Sequence, residues 1–226
     1  MAHDFALLMD LDGTLIDTDP LHLEAFRRLL APHGRSMDEE YYTTNVMGSS
    51  NDAIMSALFP EADAAERRAL GERKEVLFRE QLTGPLDPKR GLGAFLAFAR
   101  ENGFGIAVVT NAPRDNATMM LDGLGVSDLM DHVLIGDELP RSKPDPYPYA
   151  EAARRLGVDM SRALAFEDSG PGIRSASSAG AYTFALESAL GRERALASGA
   201  SEVIADFAAP ALWRKIEALT GREIVR

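Results

Sequence analysis

Six short apolar stretches punctuate this chain, and most of them are apolar at every position instead of every second one: Phe5 to Met9, Gly105 to Thr110, His132 to Ile135, Ala163 to Phe166, Ala181 to Ala185 and Glu202 to Ile204. A strand with one wet face alternates polar and apolar residues, whereas a strand covered on both faces reads as a continuous apolar run. Helical patterns lie between them, over Gly91 to Asn102, Asp115 to Leu124, Pro146 to Leu156 and Gly172 to Ala179, and several close on a glycine such as Gly103, Gly125, Gly157 or Gly180. Strands alternating with helices predict an α/β chain with a doubly wound parallel sheet.

One interval breaks this rhythm. About ninety residues separate the first strand from the next, and they read as helix over Leu21 to Ala31, Glu39 to Asn45, Asn51 to Phe59 and Ala64 to Gln81. Turn chemistry flanks them, Asp17-Thr18-Asp19-Pro20 before and Thr83-Gly84-Pro85-Leu86-Asp87-Pro88 after. The expected organisation is an α/β domain made of residues 1–17 and 86–226, with a helical domain at 18–85 inserted on two connections. Ligands of open α/β sheets sit beyond the carboxyl ends of the strands, so an insertion leaving the first strand there roofs the ligand site.

Composition narrows the partners. With 226 residues, 46% of them hydrophobic and 26% charged, the chain can build a sizeable core, and no run reaches the roughly 18 to 20 apolar residues of a membrane span. Twenty-four basic against 35 acidic residues give a net charge of −11, which repels a polyanion, so no nucleic acid is expected. The start Met1-Ala2-His3-Asp4 carries no signal-peptide features, and cysteine is absent, which fits a reducing compartment. The expectation is a cytoplasmic monomer.

Chemistry gathers where the strands end. Asp10-Leu11-Asp12-Gly13-Thr14 follows the first strand, and alternate residues of an extended chain point the same way, so Asp10 and Asp12 can project together. Paired carboxylates repel unless a cation or a proton intervenes, and an oxygen-rich site of this kind suits Mg²⁺. Taken alone, an Asp-x-Asp is a solvated acidic turn. The second strand, however, ends in Thr110-Asn111-Ala112-Pro113, either a turn and cap or an anion cradle at a helix start. Arg141-Ser142-Lys143-Pro144 holds Lys143 out of helical geometry. The fourth strand ends in Glu167-Asp168-Ser169, a second acidic pair.

These four segments, in this order, resemble the four motifs of the haloacid dehalogenase superfamily of aspartate-nucleophile phosphotransferases. The resemblance covers essentially the whole chain. Phe166-Glu167-Asp168-Ser169 with Gly172-Ile173, and the small helical insertion, are similar to the β-phosphoglucomutase-like branch. The resemblance implies that Asp10 is the nucleophile and Asp12 the general acid and base. It implies Mg²⁺ on Asp10, on the backbone carbonyl of Asp12 and on Asp168, with Glu167 a direct or water-mediated ligand. Thr110, Asn111 and Lys143 would hold phosphoryl oxygens, Ala112 would adjoin the substrate, and Lys143 would also brace Asp10.

The function so implied is a Mg²⁺-dependent phosphatase acting on a small phosphorylated metabolite, a sugar or polyol phosphate. A phosphoglucomutase-type phosphotransferase is the alternative, and a catalytically idle phosphate-binding relative is a third reading. Mutases of this branch clamp their second phosphate with a lysine before a glycine and an arginine four residues after that lysine. Val46-Met47-Gly48-Ser49-Ser50-Asn51 places methionine and asparagine there instead, which weakens the mutase reading. Thr18 and His22 match hinge positions of that branch, where His22 contacts the leaving group, or couples closure of the insertion to Asp12, or is a hydrogen-bonded helix residue. Arg73 and Lys74 are expected on an exposed basic face, with Lys74 kept as a candidate substrate contact. His3, His33 and His132 show no metal-ligand spacing, and Met119, Met120 and Met130 read as core.

Overall fold

The structure is a computed structural model, and it describes residues 3–83 and 86–221. Gly84 and Pro85 of the expected second connection lie outside the described residues, as do Met1 and Ala2. The six strands form one parallel sheet ordered β3-β2-β1-β4-β5-β6, with β1 Ala6–Met9, β2 Gly105–Thr110, β3 His132–Ile135, β4 Ala163–Glu167, β5 Tyr182–Leu186 and β6 Glu202–Ile204. Every residue of β1, β2 and β4 is buried, which explains why their sequences carry no alternation.

Alternate residues of each strand serve opposite layers. Leu7 and Met9 of β1 pack with Phe95 of α5 (Leu92–Glu101), Met120 of α6 (Arg114–Leu124) and Leu212 of α10 (Pro210–Thr220). Ala6 and Leu8 pack on the other side with Tyr149 and Leu156 of α7 (Tyr147–Leu156) and Ala176 of α8 (Gly170–Ser178). The short α9 (Arg192–Ala197) brings Ala195 against Ala185 of β5 and Val203 of β6, at the edge of the sheet. Sequence patterning had no strong signal for α10. Its apolar positions, Leu212 and Ile216, complete the first layer. Met120 is fully buried as expected, whereas Met119 is 38% exposed and is not core.

Helices α1 (Asp19–Leu30), α2 (Glu39–Tyr41), α3 (Asn51–Leu58) and α4 (Ala64–Arg79) are inserted between β1 and β2. The helix expected over Glu39 to Asn45 is broken after Tyr41, where the chain widens into a π-helical turn, Tyr42–Val46. Asp63 starts α4 with a capping box, its carboxylate accepting from the Ala65 and Glu66 N–H groups while Glu66 reaches back to the Asp63 N–H. The two connections run side by side near the sheet, since Ile16 bridges to Pro88 and the Lys89 N–H donates to the Leu15 carbonyl.

The first layer holds an aromatic cluster directly beneath the strand ends. Phe166 of β4 meets Phe95 edge-on at 5.3 Å, stacks with Phe184 at 5.5 Å and lies 5.5 Å from Phe207. Such pairs add to the burial of each ring. Phe166→Ala would leave a cavity one residue before Glu167, and a large-to-small change of this kind costs about 3–5 kcal/mol. Chemical denaturation should report that loss, with the denaturant slope unchanged.

Candidate active site

Adjacent strands β2, β1 and β4 deliver Thr110, Asp10 and Glu167 to one edge of the sheet, and the segment after β3 adds Lys143. Asp10 follows β1, Thr110 ends β2 and Glu167 ends β4, with Asp168 next. Each of these three strand ends has neighbours on both sides, so sheet register sets Thr110, Asp10 and Glu167, while the segment between β3 and α7 sets Lys143.

Lys143 is the hub. Its ammonium, 4% exposed, donates to Asp10 Oδ1 at 2.6 Å and to Glu167 Oε1 at 2.5 Å. The Lys143–Pro144 peptide is cis. Glu167 is fully engaged: Tyr149 Oη donates to its Oε1 at 2.7 Å, and the Asp168 N–H, Ser169 N–H and Ser169 Oγ donate to its Oε2. Asp168 accepts from Thr14 Oγ1 at 3.3 Å. A β-carbon on Gly13 would collide with the Asp168 carboxylate, and Gly13 also has φ +77°, so this turn accepts only glycine without strain.

Asp10, Glu167 and Asp168 each place a carboxylate oxygen within 4.8 Å of the others, all three buried. Fully ionised, they would exceed the one ammonium they face by two negative charges in a buried site. Burial, and then the charge of Glu167, push the Asp10 carboxyl up to about 8, with Lys143 working against them. Burial together with Asp10 and Glu167 raises Asp168 well above the usual range. Burial opposes the charge on Lys143, but Asp10 and Glu167 outweigh it and hold the ammonium protonated. A hard, oxygen-seeking divalent cation fits such a donor set.

Asp12 is held from the insertion. Thr18 Oγ1 donates to Asp12 Oδ1 at 2.7 Å, and His22 Nε2 lies 3.0 Å from the same oxygen. Burial alone would raise the Asp12 carboxyl. The hydrogen bond and charge of His22, and then Thr18, more than offset it and bring it below the usual range. The His22 ring stacks flat on Phe78 at 3.9 Å, and its Nδ1 lies 3.4 Å from Lys74 Nζ. His22 is thus a residue of α1 whose hydrogen-bond partner is Asp12.

The remaining candidates fall in different places. Thr110 Oγ1 accepts from the Ala112 N–H at 2.9 Å, which closes the turn after β2. Asn111 reaches across to the insertion, its amide donating to the Gly48 carbonyl at 3.1 Å. Arg73 is 55% exposed and pairs with Glu80, as an outward basic face requires. Lys74 corrects that expectation for its own position: it is 3% exposed, pairs with Glu75 at 2.6 Å and lines the cavity. One helical step between the two residues turns Arg73 out and Lys74 in. Tyr149, Glu75 and Asn116 went unnoticed in the sequence. A tyrosine in a helix start and a glutamate beside a lysine read as ordinary packing and surface, and only the tertiary contact gives them meaning.

A cavity that opens to solvent on one side, with about 80 Å³ of room for water, lies between the strand ends and the insertion. Its lining includes Asp10, Asp12, Thr110, Lys143 and Asp168 from the sheet side, and His22 and Lys74 from the insertion.

The comparisons with known proteins agree with this geometry. A model of the haloacid dehalogenase-like hydrolase family matches residues 6–180. A phosphorylated carbohydrates phosphatase of Thermotoga maritima is 29% identical over 77% of this chain and 81% of its own length. An N-acetylmuramic acid 6-phosphate phosphatase of Pseudomonas aeruginosa is 34% identical over 80% of each chain. The crystal structure of β-phosphoglucomutase from Clostridium difficile superposes with a TM-score of 0.83, covering 99% of this chain and 100% of that one at 22% identity, a likeness of fold. With the family matched over most of its length and the strand-end constellation in place, the chain belongs to the haloacid dehalogenase-like hydrolases and is an enzyme of that family's phosphatase class.

Proposed function

We propose that the chain is a Mg²⁺-dependent phosphatase that hydrolyses a small phosphorylated metabolite, a sugar or polyol phosphate, through an aspartyl-phosphate intermediate, with the helical insertion at residues 18–85 serving as its cap. The observation that carries this reading is the pair of aspartates in opposite electrostatic environments: Asp10 beside Lys143 and the acidic cluster, Asp12 beside Thr18 and His22. One carboxylate is placed for attack and the other for proton transfer.

In the first step a carboxylate oxygen of Asp10 attacks phosphorus and the ester P–O bond breaks. The leaving alkoxide takes a proton from Asp12. Asp12 holds that proton because an arriving anionic phosphate raises the proton affinity of nearby carboxylates, against the lowering effect of His22. In the second step Asp12, again a carboxylate, accepts a proton from water as that water attacks phosphorus, and the bond to Asp10 breaks. Lys143 fixes Asp10 Oδ1 throughout and limits the turning of the nucleophile. Thr110, Asn111 and Ala112 line the cavity where the phosphoryl oxygens would rest; the Thr110 hydroxyl, an acceptor in its turn, keeps its O–H to donate, and release of the turn and of the Gly48 contact would free the Ala112 N–H and the Asn111 amide.

Asp10, Asp168 and the Asp12 carbonyl would hold Mg²⁺, with Glu167, both of whose oxygens are already hydrogen-bonded, reaching it through water. When bound, the cation neutralises charge on the phosphoryl group and the nucleophile. A mutase would need a second anion clamp, and the structure gives Met47 and Asn51 no such role: Met47 is buried and Asn51 donates to Glu75. The bond pattern therefore favours hydrolysis.

Phosphate release from small esters tests the reading. Asp10→Asn should lose roughly 10,000-fold or more in kcat, and Asp12→Asn at least about 100-fold. Wild-type turnover in Asp10→Asn would end the proposal.

Proton competition gives a second test. Because Asp10 is pushed up to about 8 in the metal-free protein, a cation must displace a proton below that pH, so Mg²⁺ affinity should fall as pH drops from 8 to 6. Displacing one proton corresponds to about tenfold per pH unit well below the pKa, and Asp168, raised for the same reasons, adds to the dependence in the same direction. Calorimetry at both pH values reads the affinity and the proton release directly, and a pH-independent affinity would contradict the assignment.

A further inference from the structure

Glu75 is a carboxylate buried in the cavity wall opposite the strand ends, and the proposed hydrolysis gives it no part. It lies on α4 with 5% of its surface exposed and lines the same cavity as Asp10. Three donors converge on it. Lys74 Nζ and Asn51 Nδ2 donate to Oε1, each at 2.6 Å, and Asn116 Nδ2 donates to Oε2 at 2.6 Å. Asn116 belongs to α6, beside the sheet, and its Oδ1 in turn accepts from Arg79 at 2.7 Å. Burial pushes the Glu75 carboxyl up, but the charges of Lys74 and His22 and the hydrogen bonds outweigh it, so the group stays anionic at neutral pH.

The cations nearby are already committed. Lys74 Nζ is paired with Glu75, lies 5.1 Å over the Phe26 ring and faces His22 Nδ1 at 3.4 Å. Lys143 is paired with Asp10 and Glu167. Among the described residues, no other lysine or arginine lines the cavity. The second acid of the insertion wall, Asp19, takes a hydrogen bond from Tyr42 Oη at 2.8 Å. A leaving group with its own negative charge would meet two carboxylates there and no unpaired cation, an arrangement that rejects it. A hydroxyl fares differently. A carboxylate oxygen accepts about two hydrogen bonds, and Glu75 Oε2 receives one from a side chain, which leaves an acceptor position for a substrate O–H.

We infer that Glu75 is a specificity-determining residue that selects neutral, hydroxyl-bearing leaving groups and rejects those carrying a carboxylate or a second phosphate. The inference rests on the phosphatase reading and names the substrate class within it. The charge filter is assembled by both parts of the protein, because the insertion supplies Glu75 and the sheet domain supplies the Asn116 amide that orients it.

The test compares kcat/KM, with Mg²⁺, for a neutral hexose phosphate, a hexose bisphosphate and phosphoglycolate, on the unaltered enzyme and on Glu75→Gln. The unaltered enzyme should favour the neutral ester by about 100-fold or more, and the variant should narrow that ratio about tenfold, mainly through a lower KM for the anionic esters. A glutamate with a purely structural role would lower turnover on all three alike and leave the ratio unchanged, which would overturn the inference. Preference of the unaltered enzyme for an anionic ester would overturn it too, while leaving the phosphatase reading intact. Should the variant not fold, the ratio on the unaltered enzyme decides alone. Hydrolysis of none of the esters would remove the phosphatase reading, and this inference with it.

Discussion

A single buried ammonium organises the catalytic edge of this protein. Lys143 ties the end of β1 to the end of β4 through Asp10 and Glu167. Removing charges from water is expensive, and a buried cluster persists only when each member keeps good partners. Here the partners are plentiful: Glu167 accepts from Lys143, Tyr149 and the turn that starts α8, and Asp168 accepts from Thr14. What stays uncompensated is an excess of negative charge around Asp10, and burial expresses it as a raised proton affinity. Electrostatic stress of this kind would be costly for a purely structural cluster, whereas a site that binds a cation and an anion in turn can use it.

The parallel sheet makes the cluster possible. Strands β2, β1 and β4 are neighbours, so three chain segments far apart in sequence release their functional residues within hydrogen-bonding reach. The continuous apolar runs that identify the strands are the same runs that hide their backbones on both faces. Below the site, Phe95, Phe166, Phe184 and Phe207 pack the layer that supports β4. Precision at Glu167 thus rests on aromatic packing one residue away.

The sequence made the sheet, the insertion and the strand-end groups legible because each depends on local or periodic signals: apolar runs, closing glycines, an Asp-x-Asp after a strand. All six strands fall within one residue of their expected ends, and β2, β3 and β6 match them outright. Contacts across long separations were not legible. Lys74 and Arg73 are neighbours in a helix with the same charge, and only the packing of α4 on α1 buries one and exposes the other. The same holds for Tyr149, whose hydroxyl meets Glu167 only because α7 lies against the sheet. The π-helical turn at Tyr42–Val46 also escapes pattern reading, since its residues fit an ordinary helix equally well.

The two halves of the cavity carry different kinds of work, and their polar bonds differ accordingly. On the sheet side the bonds run among residues of the strand ends and hold Asp10, Glu167 and Asp168 in fixed relation whatever the insertion does. Across the cavity they join the insertion to the sheet domain: Thr18 and His22 to Asp12, the Gly48 carbonyl to Asn111, Glu75 to Asn116. A β-carbon on Gly48 would strike Ser169, and Gly48 has φ +74°, so the insertion approaches the fourth strand end as closely as backbone allows. The consequence is a division by mobility. In the proposed mechanism the groups that must not move relative to phosphorus are tied to one sheet, while Asp12, the proposed proton-transfer group, is tied to the insertion that forms the other wall of the cavity. On that proposal, proton transfer depends on how well the insertion seats over what the cavity contains, which would link selectivity to turnover without any further device.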